Sequence, residues 1–267
     1  MAIYKGKVKC REFSKVLHDI LIEVGYTEIS TEITTDGRVY VSSTTDDDKF
    51  YIRIQDPASR YLTVGVYEEY TPNVTSGLPG TFGNGILASC IIWNSSNADA
   101  RVELNYIINA TNKRVIVYVS GLPAEGGQMN SLTYIGLPNR VSVNDKDGRF
   151  AGLSYTSNGP YNNPGTFYSL RNRNLTALPA YLVDHYMPAR SVGWGAKIFF
   201  SPMLIGSVAE GHRGTLDGIR IIEKVDHKME IMPGDTFVHD GKSYMLITPT
   251  SHGYDTLHTG YDYLIEI

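Results

Sequence analysis

Cysteine is nearly absent: Cys10 and Cys90 are the only two in 267 residues. Two thiols cannot build a disulfide framework, so free buried cysteines and synthesis in a reducing cytosol are expected. No run approaches the roughly 20 apolar residues of a membrane-spanning helix. The N-terminus, Met1-Ala2-Ile3-Tyr4-Lys5-Gly6-Lys7, lacks the apolar stretch of a signal peptide. The Asn-x-Ser/Thr sequons at Asn73, Asn94, Asn109 and Asn174 are therefore read as chance matches. Charge of one sign is scarce too, with 24 Lys and Arg against 28 Asp and Glu. A net charge of -4 provides no field that would draw nucleic acid or an acidic membrane. The densest basic stretch, Arg171 to Arg173, holds two arginines around Asn172, and no basic stripe with interleaved aromatics is visible.

The motifs of catalysis are missing as well. Gly80-Thr81-Phe82-Gly83-Asn84-Gly85 is glycine-rich, yet no Gly-Lys-Ser/Thr follows and the next residues read as strand rather than helix. Asn144-Asp145-Lys146-Asp147-Gly148 imitates part of a calcium loop but lacks its closing acid, since the residue there is Ser154. The better reading is a turn at Asp147-Gly148. Asp46-Asp47-Asp48 is read as a solvated turn, because sequence neighbours rarely converge on one ion. None of the seven histidines pairs at i, i+4, and Asp184-His185 with His252 and His258 makes only a weak metal or catalytic candidate. No Gly-x-Ser-x-Gly occurs. Glu68, Glu69 and Glu103 fall on predicted strands, where exposed-face charge explains them. The expectation is a protein that is not an enzyme, with no catalytic, cofactor-binding or metal-ligating residue.

What is present is strand. Nineteen tyrosines supply rigid amphipathic area suited to half-buried strands and to interfaces. One helix is predicted, Arg11 to Val24, with Phe13, Val16, Leu17, Ile20 and Val24 on one face and Gly25 as a left-handed cap. Arg38–Ser42 follows the Asp36-Gly37 turn and pairs with Glu28–Thr34. Further strands are predicted over Lys49–Gln55, Tyr61–Tyr70, Gly85–Trp93, Arg101–Ile108 and Lys113–Ser120, the last two flanking a turn at Asn109–Asn112. Val115–Val119 is apolar throughout, as in a strand buried on both faces. Gly121 to Pro179 is rich in turn residues, with Leu132–Ile135 its best strand. Strands return at Ile198–Phe200, Gly218–Val225, Thr236–Val238, Ser243–Thr248 and Tyr261–Ile267, with a tight turn at Asp240-Gly241.

The fold class expected is α+β, mainly β: an N-terminal helix packed on antiparallel sheet, long loops and a C-terminal β module. Three segments are drawn, 1–125, 126–190 and 191–267. Pro72–Gly85 and much of Gly121–Pro179 are too long and strand-poor to be held by their own packing, yet they carry aromatics and little charge. Burial between subunits of a closed ring resolves that conflict.

Three stretches carry a resemblance. Val102 to Val117 is a hairpin in which a strand ends at an Asn-rich turn and an Arg opens an apolar strand. Tyr134-Ile135-Gly136-Leu137-Pro138 follows it. Gly214-Thr215-Leu216-Asp217-Gly218-Ile219 through Gly241 to Ile247 combines a Gly-x-Leu-Asp-Gly turn with a closing hairpin. Together these resemble virion structural proteins of tailed bacteriophages. The resemblance implies a neck or tail component of the tail-terminator, collar or head–tail connector kind. It implies synthesis in the host cytoplasm, residence in the virion, and self-assembly into a homo-oligomeric ring, hexamer favoured, against neighbouring virion proteins. It implies no specific nucleic-acid sequence, no membrane and no cofactor, and it carries over no functional residue. The alternative is a receptor- or carbohydrate-binding tail module with Tyr155, Tyr161 and Trp194 stacking on sugars.

Overall fold

The computed structural model describes residues 2–29, 38–42, 48–55, 61–67, 69–71, 81–82, 90–94, 103–121, 129–142, 151–156, 166–169, 191–193, 198–207, 211–224, 231–247 and 262–267. Among these, strand predominates and the fold is α+β, mainly β, with antiparallel sheets.

Sheet 1 runs in the order β1 (Ala2–Lys9), β9 (Glu103–Ala110), β10 (Arg114–Gly121), β11 (Met129–Gly136), β13 (Ala151–Thr156) and β14 (Thr166–Ser169). Sheet 2 runs β15 (Ser191–Gly193), β16 (Ile198–Ser207), β17 (Gly211–Lys224), β20 (Asp262–Glu266), β19 (Lys242–Ile247) and β18 (Thr236–His239), with β12 (Asn139–Arg140) also bonded to β17. Sheet 3 runs β2 (Thr27–Glu28), β3 (Arg38–Val41), β4 (Tyr51–Gln55), β5 (Tyr61–Tyr67) and β8 (Cys90–Asn94), while β6 (Tyr70–Thr71) pairs with β7 (Thr81–Phe82).

The sheets are held in layers by three apolar clusters. The first joins the helix α1 (Phe13–Glu23), sheet 3 and one face of sheet 1. A second fills the space between the other face of sheet 1 and sheet 2. The third, around Phe200, Phe237, Tyr244 and Leu264, covers the far face of sheet 2. β10 lies at the centre: Val115, Val117 and Val119 enter the first cluster, Ile116 and Tyr118 the second. Its unbroken apolar run is thus the signature of burial on both faces.

α1 is shorter than the predicted Arg11–Val24 because Cys10–Glu12 winds as a 3-10 turn where the chain leaves β1. Phe13, Leu17, Ile20 and Leu21 are buried, with Val16 and Val24 packed partly against them. The helix ends in a Schellman motif. Gly25 takes φ +98, its N–H donates to the Ile22 carbonyl, and the Tyr26 N–H reaches back to the Leu21 carbonyl at 2.9 Å.

β2 and β3 pair as predicted, although Asp36-Gly37 lies outside the described residues. Asp240 and Gly241 form the predicted tight turn, with φ of 51 and 73 joining His239 to Lys242. Two expectations need correction. The sequence reading leaves Ala2–Lys9 unassigned, yet it is an eight-residue strand paired along its whole length with β9. Lysine and glycine lower its strand propensity, but Gly6 lies opposite Tyr106, whose ring occupies the space a side chain would take. Second, the turn-rich stretch after Gly121 contributes not only β11, which contains the expected strand Leu132–Ile135, but also β13 and β14, all of which extend sheet 1. These strands pair in series onto the β9–β10 hairpin, so ladder bonds compensate for a weak local pattern.

Candidate functional site

The most organised polar feature sits where sheet 1 meets sheet 2, built from residues far apart in the chain. Asn109, expected in a turn, is instead the penultimate residue of β9 and fully buried. The turn is tighter than predicted because Thr111 closes it: its Oγ1 accepts from the backbone N–H groups of Lys113 and Arg114. Arg114 therefore opens β10 with its side chain between the sheets, only 3% exposed.

On the opposite side, the Gly-x-Leu-Asp-Gly segment is not a turn between strands but a bulge inside β17. The β17 partners of β16 jump from Arg220 to Leu216 between Pro202 and Met203, so residues 217–219 are set out of the β16–β17 ladder. Bulges re-aim side chains, and this one directs Asp217 at Arg114. Gly218 makes it feasible through its φ of +79. A Cβ there would lie 2.8 Å from the Arg114 guanidinium.

Arg114 Nε donates to Asp217 Oδ2 at 2.9 Å and Nη1 donates to Asn109 Oδ1 at 2.8 Å. Nη2 lies 3.8 Å from Glu266, which is itself 3% exposed. The Asn109 amide donates onward to the Glu266 backbone carbonyl at 2.9 Å. Lys242 completes the group, 3.1 Å from the Glu266 carboxylate and 3.9 Å from Asp217. Two cations and two carboxylates alternate around a closed ring, deep at Arg114 and Glu266 and open to water at Asp217 and Lys242. Burial alone would lower the Lys242 ammonium's pKa. The hydrogen bond and attraction of Glu266, with Asp217 beside it, outweigh burial and raise it above the usual lysine value. The Tyr134 hydroxyl donates to the Leu137 carbonyl, and the Leu137 N–H donates to the Lys113 carbonyl, which fastens the Gly-Leu-Pro segment to the same hairpin. With its charges matched, the arrangement clamps the register of two sheets.

A smaller polar group lies where α1 meets sheet 3. His18 Nδ1 is 2.9 Å from the Tyr40 hydroxyl and 3.1 Å from Arg38 Nη1, with Glu28 at 3.8 Å. Arg38 can only donate, so its contact with Nδ1 has the ring nitrogen as acceptor, while the Tyr40 hydroxyl can serve in either sense. Burial, then the Glu28 charge, pushes the Tyr40 hydroxyl far above its ordinary pKa.

Sequence reasoning assigned no site residue and so missed the Arg114 cluster, although Asn109, Arg114, Asp217 and Lys242 all lie in stretches it singled out. The available signal was a pair of opposite charges inside apolar runs, Arg114 before Val115–Val119 and Glu266 within Tyr263–Ile267. Asp48, read as solvated, is 3.3 Å from Arg140. Glu103 is exposed at the start of β9, as expected. Asp46, Asp47, Glu68, Asn144–Gly148, Tyr161, Asp184, His185, Trp194, His252 and His258 lie outside the described residues, and of Tyr155 only the backbone is described. Among the described residues no group of three or more His, Cys, Asp or Glu is placed to hold a metal ion, and no helix is long and apolar enough to cross a membrane. No family model, curated protein or solved structure matches the chain.

Proposed function

We propose that this chain is a structural component of a tailed-phage virion, in the neck or tail, acting by self-assembly and subunit contact rather than catalysis. One observation carries the reading. Two of the three stretches that resemble phage virion proteins, separate in sequence, supply most of one half-buried charge cluster between two sheets, and the third is fastened to the hairpin that carries Arg114. A rigid, layered β framework of this kind suits a subunit that must keep its shape while its loops meet neighbours.

The test is immunogold labelling of intact particles made by the genome that encodes the chain, together with mass photometry of the full chain alone and with the products of adjacent genes. The expected result is label at the neck or tail and a closed oligomer, hexamer favoured, that forms alone or on a partner. Particles without label would overturn the proposal. Label confined to peripheral fibres, with glycan binding by the purified chain, would replace it with the receptor- or carbohydrate-binding reading.

A further inference from the structure

We propose that the outer edge of β1, unpaired among the described strands, is a docking site for an extended segment of another polypeptide that carries acidic side chains at every second position. The inference does not depend on the virion reading. Among the described strands β1 is bonded on one side only, to β9, so its outer row of backbone donors and acceptors faces away from the sheet. Lys5, Lys7 and Lys9 are all exposed and alternate with Gly6 and Val8, which places them on one face. Across the ladder they meet Ile107, Asn105 and Glu103, so one acid stands against three ammonium groups, at the Lys9 end. None of the three forms an ion pair with a described residue.

An added strand would pair with the backbone edge, and its alternate side chains would fall beside the lysines. Neighbouring lysines stand roughly 7 Å apart, the spacing of every second residue in an extended peptide. Pairing of β1 with β1 of a second copy is disfavoured, because antiparallel pairing about a twofold axis sets lysine row against lysine row. Acidic residues on the incoming strand convert that repulsion to attraction. Edge lysines also guard sheets against indiscriminate pairing, and the same charges that exclude a second copy select an acidic strand.

The probe is a fluorescent peptide of alternating Glu and Thr, titrated by anisotropy into the full-length chain. Controls are the same composition with the glutamates grouped at one end, a backbone N-methylated version, and an oligouridylate. Saturable binding of the alternating peptide is expected, lost on N-methylation and weaker for the grouped control. The Lys5→Glu/Lys7→Glu/Lys9→Glu variant should bind about tenfold or more weakly, as three reversed cross-strand pairs require, and should gain affinity for a Lys–Thr peptide. Far-UV circular dichroism establishes that the variant is folded, and Lys7→Gln is the milder substitute if it is not. No binding of the acidic peptide would reduce the lysines to edge protection and overturn the proposal. Equal binding of the N-methylated peptide or of oligouridylate would do the same, by showing charge attraction without strand addition.

Discussion

Replacing Arg114 by Met tests the interlock directly. Methionine keeps much of the aliphatic stem while removing every guanidinium contact. Asp217 is 40% exposed and regains water, so its loss of a partner costs little. Glu266 is 3% exposed and cannot, and Asn109 Oδ1 loses its donor inside the protein. Breaking a buried ion pair from one side typically costs about 3–5 kcal/mol. Because Lys242 stays 3.1 Å from Glu266, the lower end, about 3 kcal/mol, is expected. Lys242→Met, at a side chain 45% exposed, should cost about 1 kcal/mol or less. Glu266→Gln removes the buried charge that Arg114→Met strands, so the double variant should fall short of the sum of the singles by at least about 1 kcal/mol. Urea unfolding followed by far-UV circular dichroism measures the four variants against the unaltered chain. A cost below about 1 kcal/mol for Arg114→Met, or singles that simply add, would show that the cluster does not hold the sheets together.

Tyr26→Phe should leave stability unchanged or raise it by about 1 kcal/mol, since the buried Tyr26 hydroxyl has no hydrogen-bond partner among the described residues; a loss of that size in urea unfolding would reveal one. Burial raises the pKa of Tyr26, Tyr40 and Tyr134 above 10.0. The unfolded chain therefore loses those protons first, and stability, complete below pH 10, should fall above it by about 1.4 kcal/mol per pH unit per tyrosine. Tyr40→Phe should make that fall shallower by one group's share, and an unchanged slope would count against its burial. Leu17→Ala, at a side chain 3% exposed, should cost about 2–5 kcal/mol, and Asp19→Ala, in a surface pair with Lys15, about 0.5 kcal/mol or less; equal effects would mean the wrong helix face is buried. Gly218→Ala should cost more than about 1 kcal/mol, because φ of +79 and the crowding of Arg114 and Ile116 both oppose a Cβ; a neutral result would contradict the bulge geometry.

Several features were legible in the sequence because their causes are local. The spacing of Phe13, Leu17 and Ile20 determines α1, and Gly25 its end, since periodicity and a left-handed cap act within one or two turns. Asp240-Gly241 specifies its hairpin by backbone preference alone, and the apolar run of Val115–Val119 announces a strand buried on both faces. Other features have no local cause. β1 carries three lysines and a glycine in eight residues and becomes a strand because β9 offers it a partner, with Tyr106 filling the space over Gly6. Asn109 reads as a turn residue until the buried Glu266 carbonyl and Arg114 give its amide both partners. Arg114 and Asp217 stand 103 positions apart, and no pattern in either neighbourhood encodes the other. A buried charge is tolerable only beside its counter-charge, and which counter-charge arrives is settled by how sheet 2 lies across sheet 1.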